Sequence, residues 1–342
     1  MPLILAGIDE AGYGPTLGPL CVGLSVFEVP HDDGAPPPCL WKLLSRAICR
    51  EAGRGGKPGP GNRIPIADSK QLKLSSSVVT THPLVHLERG VLCMLNTLEP
   101  AFTPSADLEL FEGLGSKLPS HHCYTGDPSP LPCSHDAGQL AINANVLRRA
   151  MADANVRTLA MRCRVMDEHE FNTLASEADN KGATTAAAVS GHLRTLWESY
   201  ASLDDARRPR LGVVCDRLGG RAMYGDMLRR AIPGATVTIL EESETRSRYV
   251  VEDAATRRRM GVSFLVEAEQ AHMPVALASM IAKYTRELCM ARFNRSWEAT
   301  ARDLTGLELK PTAGYAQDAR RWLQDARPLL TSDDRAALIR RY

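Results

Sequence analysis

The sequence predicts an α/β fold, a mixed domain of strands and helices carrying insertions. Three observations lead there. Apolar or alternating runs at 3–8, 19–28, 157–166, 210–216, 235–242, 247–253 and 260–269 read as strands. Segments with helical periodicity lie between and after them, at 137–155, at 168–202 as two helices, at 225–232, and in the Ala-rich "PVALASMIAKYTRELCMARFNRSW" (274–297). The length, 342 residues, is long for one simple domain and short for three, and no repeat or clear linker divides it.

Composition narrows the class. Hydrophobic residues make up 44% and charged residues 24%, an ordinary globular balance. Aromatics are 5%, so the core should be rich in Ala, Leu and Val. Lys plus Arg number 41 against 40 acids, which gives no global sign of a polyanion partner and leaves a local basic groove open. Nine cysteines, an odd number, sit mostly in apolar runs without disulfide spacing; reduced, buried thiols of a cytoplasmic protein are expected. The N-terminus has no basic region before its apolar run, so it does not read as a signal peptide. No apolar stretch is long enough to span a bilayer.

Taken in order, the first two strands are joined by a glycine turn, Gly12-Tyr13-Gly14-Pro15. Residues 31–38 read as a loop, 40–52 as a helix, and 53–62 ("GRGGKPGPGN") as a flexible basic loop. The stretch 75–95 ("SSSVVTTHPLVHLERGVLCML") suggests further strands. Residues 115–136 are rich in Pro, Ser and His and read as a long loop; the tail, 317–342, is charged and helical.

The chemistry starts at the end of the first strand. Asp9 and Glu10 follow an apolar run, and alternation turns them to opposite faces. A buried carboxylate is costly unless it is paired or holds a metal. Alone, the pair would be a solvated strand end. However, Asp216 ends "GVVCD" and Glu269 ends "FLVEAE" in the same way. Hard oxygen ligands converging at a sheet edge suit Mg²⁺ or Mn²⁺. Two such ions about 4 Å apart activate water and stabilise a leaving oxygen in phosphodiester cleavage. Gly12 and Gly14 let backbone N–H groups approach a ligand. A GxG pattern is weak evidence alone and far more specific directly after Asp-Glu.

Those residues carry a resemblance. "GIDEAGYGPTLGPLCVG" (7–23) resembles the opening of type 2 ribonuclease H (ribonuclease HII), which reads G-x-D-E-A-G-R-G-P. "ADSKQL" (67–72), "INANVLRRAM" (142–151), "VVCD" (213–216), "PVALASMIAKYTRE" (274–287) and "GYAQDARRWL" (314–323) are similar to later motifs of that family, in the same order. The resemblance implies a ribonuclease H-like mixed sheet flanked by helices, with inserted helical and β-hairpin segments. Residues 1–300 would be the catalytic domain, with insertions at about 31–62, 115–136, 156–210 and 236–262, and 301–342 a helical extension. It implies an endonuclease that cuts RNA in RNA–DNA hybrids, or single ribonucleotides embedded in duplex DNA, on the 5′ side of the ribonucleotide. The products would carry a 3′-OH and a 5′-phosphate. By motif, Asp9, Glu10, Asp216 and Glu269 are the catalytic and Mg²⁺- or Mn²⁺-binding carboxylates, with Glu267 the alternative to Glu269. Gly12, Tyr13 and Gly14 correspond to the turn that senses the ribose 2′-OH, the group that separates RNA from DNA. Lys70 meets a phosphate as a point charge. Tyr315 packs on the sugar or base beside the junction, and Asn143 or Asn145 contacts substrate.

The chain also departs from that pattern. Tyr13 stands in place of an Arg, and Glu269 in place of an Asp, which moves the carboxylate by roughly 1.5 Å. Ala271 and His272 stand where the family has a Lys, and His272 is more often a bystander than a proton carrier. "HHCYTGDPSPLPCSH" (121–135) offers zinc-ligand types, but its spacing fits no standard finger and a structural loop is expected. Five arginines in 246–261 read as a solvated hairpin face, with a duplex-gripping role as the functional alternative. Two rival functions stand beside the ribonuclease: a metal nuclease without ribose selectivity, and a non-catalytic nucleic-acid-binding module.

Overall fold

The computed structural model describes residues 2–32, 35–75, 80–201, 210–306 and 308–341. Parts of the expected loop at 31–38, of the strand-like stretch 75–95 and of the insertion 156–210 lie outside the described residues. In chain order the strands are β1 Leu3–Ala11, β2 Leu20–Val29, β3 Ile48–Cys49, β4 Ile64–Pro65, β5 Arg157–Met166, β6 Arg210–Asp216, β7 Thr236–Glu242, β8 Arg246–Asp253 and β9 Arg258–Leu265. The helices are α1 Leu40–Leu43, α2 Ser69–Leu72, α3 Val85–Leu95, α4 Asp107–Gly113, α5 Ala137–Asp153, α6 Glu168–Glu177, α7 Gly182–Tyr200, α8 Gly225–Ala231, α9 Ala268–Ala271, α10 Met273–Thr305, α11 Ala316–Asp325 and α12 Ser332–Leu338.

Among the described residues, seven strands form one sheet in the order β5-β2-β1-β6-β9-β8-β7. β1 pairs antiparallel with β2 and parallel with β6, and β6 pairs parallel with β9. Alternation along β1 divides its side chains between two cores. Leu3 and Ala11 join the core built with α3, α5 and α10, while Ile4, Ala6 and Ile8 join the core under α6, α7 and α8. The result is a mixed sheet covered by helices on both faces, an α/β fold.

Helix α10 lies directly on β1 and β2, and glycine makes that approach possible. A Cβ on Gly7 would sit 2.1 Å from the Pro274 carbonyl carbon, and one on Gly23 2.1 Å from Ala278 O. Ser25 Oγ donates to Pro274 O at 2.8 Å in the same contact. This seating fixes the height of Ser279 and Arg286 relative to the strand ends.

Several local expectations change. Residues 40–52 are helical only at Leu40–Leu43, because Ile48–Cys49 pairs with Ile64–Pro65. The second half of the stretch 75–95 is the helix α3, not strand, and all eleven of its residues are buried. The alternation Val85-His86-Leu87-Glu88 mimics a strand, although both sets of side chains are buried. β1 continues through Asp9 and Glu10 to Ala11. The last strand stops at Leu265, so Glu269 lies in the helical turn α9. Within the segment 236–262, β7 and β8 extend the sheet beyond β9, which pairs with β8 in register from Arg246↔Leu265 to Asp253↔Arg258. The tail packs on the first core through Leu309, Ala319, Trp322, Leu330 and Leu338.

Candidate active site

The parallel register sets the site. Ile8 lies opposite Cys215, so one step on, Asp9 and Asp216 are neighbours at the carboxyl ends of β1 and β6. In α/β sheets ligands bind beyond those ends. Asp9 is 9% exposed; its Oδ1 accepts Glu10 N–H at 2.7 Å, and Ser279 on α10 lies near enough to favour its ionised form. Ser279 Oγ in turn lies 2.9 Å from Ser69 Oγ. Asp216 Oδ1 accepts Ala268 N–H at 3.1 Å, which holds α9, and hence Glu269, against the end of β6. Glu269 is 9% exposed, and its Oε2 has no hydrogen-bond partner. Glu267 is exposed and bonds Gln270 Nε2 at 2.9 Å, so Glu269 is the acid that turns inward.

Electrostatics binds these groups into one site. Burial, then the charges of Glu10 and Asp216, raise the Asp9 carboxyl well above its ordinary range. Burial, then Asp216, hold Glu10 at about 7. Burial raises Asp216, and burial and Asp216 raise Glu269. Lys70, on α2, opposes the shifts in Glu10, Asp216 and Glu269. The neighbouring Asp68, which sequence reasoning did not single out, caps α2 by accepting Lys70 N–H at 2.9 Å and adds a fifth negative charge. Among the described residues, no three of these carboxylates bring ligand oxygens within 4.8 Å of one another. Mutual repulsion favours that spacing. An all-oxygen donor set, one carboxylate oxygen without a partner and carboxyls that resist ionisation together fit a hard divalent cation.

The glycine turn lies at the end of β1. Gly12 has φ +92°, where a side chain would be strained, and a Cβ there would sit 2.5 Å from Arg286 Nε. Gly14 is exposed, with nothing within 4 Å of where its Cβ would stand. Tyr13 is flanked by positive charge: Lys181 Nζ lies 5.0 Å from its ring centroid, and Arg221 acts on its hydroxyl. Positive charge beside Tyr13 thus comes from the α6–α7 turn and the β6–α8 loop, which are remote in sequence. Tyr315 is 44% exposed, with Arg286 Cζ 5.4 Å and Lys283 Nζ 5.8 Å from its ring centroid.

Other candidates have contacts of their own. Asn143 is buried on α5, accepts from Gln139 at 3.3 Å and leaves its Nδ2 without a partner, whereas Asn145 is exposed and accepts from Arg148. His272 lines an apolar cavity of about 340 Å³ with Leu5, Gly212, Gly261 and Met273, and burial lowers its pKa. In 121–135, Cys133 and Ser134 bind the Glu88 carboxylate, while His121 Nε2 pairs with Asp334 Oδ1 at 3.0 Å. That stretch is an anchored loop. In the arginine-rich hairpin, Arg246 pairs with Glu241 and Arg259 with Glu252, consistent with a solvated face.

No family model matches the chain, and no curated protein matches it. Among solved structures, it is similar to one of a PCNA–RNase HII complex from Archaeoglobus fulgidus, at 13% identity and a TM-score of 0.40, covering 99% of this chain and 94% of that one. The structure of Bst-RNase HIII with Mn²⁺ gives 13% identity and a TM-score of 0.41 over 99% of this chain and 66% of that one. Ribonuclease H2 from Pyrococcus horikoshii OT3 gives 16% and 0.38 over 99% and 93%. No activity passes to this chain from likenesses this low. By its own strand order and helix layers, the chain has a ribonuclease H-like α/β fold.

Proposed function

We propose that this protein is a metal-dependent endonuclease of the ribonuclease HII type, hydrolysing RNA–DNA hybrids or single ribonucleotides embedded in duplex DNA. The observation that carries the reading is the convergence of Asp9, Glu10, Asp216 and Glu269, with Lys70 among them, at the strand ends beside a glycine turn. Asp9, Glu10, Asp216 and Glu269 would hold Mg²⁺ or Mn²⁺, which supplies water activation and charge stabilisation at the scissile phosphate. Ser279, near Asp9, favours the ionised carboxylate that a cation needs. Lys70, exposed and close enough to feel Asp9 and Glu269, neutralises an incoming phosphate. The exposed backbone at Gly14 offers donors to a ribose hydroxyl, and the Tyr315 ring offers an apolar face to the adjacent sugar. Without a cation, four carboxylates repel a phosphate backbone, which argues against a purely binding role.

The test is cleavage of an end-labelled duplex carrying one ribonucleotide, with Mg²⁺ or Mn²⁺, by the wild type and by Asp9→Asn. The reading expects metal-dependent cutting that falls more than about 100-fold in the variant, beyond the usual cost of losing an outer-shell partner. Full activity in Asp9→Asn would overturn it.

A further inference from the structure

The polar groups that hold the glycine turn come from the opposite end of the chain. Arg340, two residues from the C-terminus, is 3% exposed. Its Nη1 donates to Gly12 O at 2.5 Å, and its Nη2 donates to Gly18 O. Its backbone N–H donates to Thr16 O at 2.9 Å. The guanidinium rests over the Phe171 ring, 4.3 Å from the centroid. Beside it, Glu168 Oε1 accepts Gly18 N–H at 3.0 Å and the Tyr124 hydroxyl at 2.5 Å. Both clamped glycines have positive φ, +92° and +86°. A turn of that shape has few backbone partners of its own, and buried carbonyls need donors. One planar guanidinium supplies two in a fixed fork.

The peptide bond carries this constraint outward. In a trans peptide, the C=O of one residue and the N–H of the next point in opposite directions. Drawing Gly12 O inward onto Arg340 therefore turns Tyr13 N–H away from the guanidinium. The same assembly ties the turn to Tyr315. Thr16 and Leu17 N–H donate to Gly314 O at 2.8 and 3.1 Å, and Arg286 Nη2 bridges Leu17 O and Ala313 O, each at 3.1 Å.

We infer that Arg340 is a positioning residue, which sets the Gly12–Gly18 backbone and through it the site's discrimination between ribose and deoxyribose. The second half of this inference rests on the function proposed above; the first half does not. Arg340 touches no carboxylate that would hold metal, so its loss should leave metal binding alone. A purely structural residue would lower stability without changing which sugar is preferred.

The experiment uses the full chain with Arg340→Lys and Arg340→Gln. The first keeps the charge but loses the planar fork; the second keeps an amide donor without the charge. Three quantities are read: Mn²⁺ affinity by calorimetry, amide hydrogen exchange over residues 12–18, and the kcat/KM ratio for matched duplexes with and without one ribonucleotide. The expected result is Mn²⁺ affinity as in wild type, exchange over 12–18 faster by about 10-fold or more, and a ribose preference reduced by about 10- to 100-fold, mainly through KM. Wild-type exchange and wild-type ribose preference in both variants would overturn the inference. If the wild type cuts neither duplex, the function proposal fails. The exchange measurement then still decides whether Arg340 holds the turn.

Discussion

Asp9, Glu10, Asp216 and Glu269 are four acids crowded where one cation, Lys70, cannot neutralise them. With Glu10 held at about 7, metal binding must expel protons at mildly acidic pH. Calorimetry of Mn²⁺ binding in two buffers of different ionisation enthalpy should show more protons released at pH 6 than at pH 8.5. Equal release at both would contradict the coupling. Ser279→Ala should cost roughly 10- to 100-fold in Mn²⁺ affinity or in activity, as losses of outer-shell partners do. Glu88 provides a control remote from the chemistry. It is fully buried and accepts from Cys133, Ser134, His135 and Tyr284; burial opposes its ionisation, but the bonds from His135, Cys133 and Ser134 lower its pKa to about 2. A depressed carboxyl adds stability above its unfolded value, near 4.5, that is lost as pH falls toward 2. Glu88→Gln should therefore cost about 3 kcal/mol near neutral pH, with the gap to wild type closing below about pH 4 in urea denaturation.

At the scale of elements, the site depends on α10 reaching β1 and β2. Gly7→Ala would place a methyl 2.1 Å from Pro274 C. Relieving that overlap means lifting the helix, at about 3 kcal/mol or more in urea denaturation. A variant as stable as wild type would contradict the close seating. The end of β6 was legible because an apolar run of β-branched and small residues stops at an acid, in "VVCD". Helix α3 was not: Val85-His86-Leu87-Glu88 alternates as a strand would, and its polar residues are buried with the rest instead of marking a solvated face. Glu269 was found by motif, but its place on a helical turn depends on Glu267 entering the left-handed region at φ 53°, which no apolar pattern encodes.

Across the whole molecule, what the sequence left hidden is contact between distant segments. Lys181 beside Tyr13, Ser69 beside Ser279, and Arg340 beneath Gly12 and Gly18 are separated by 168, 210 and up to 328 positions. Local spacing carries no trace of such pairings. The carboxylates and glycine turn were legible because their chemistry is local; the groups that orient them were not. The central claim is that this assembly cuts beside ribose and ignores deoxyribose. The most direct test compares two duplexes of identical sequence, one all-DNA and one with a single ribonucleotide, in Mg²⁺ and in Mn²⁺, with product ends mapped. The account predicts one cut, 5′ to the ribonucleotide, leaving a 3′-OH and a 5′-phosphate, and an intact all-DNA duplex. Equal cutting of both duplexes, or binding without cutting in either metal, would contradict it.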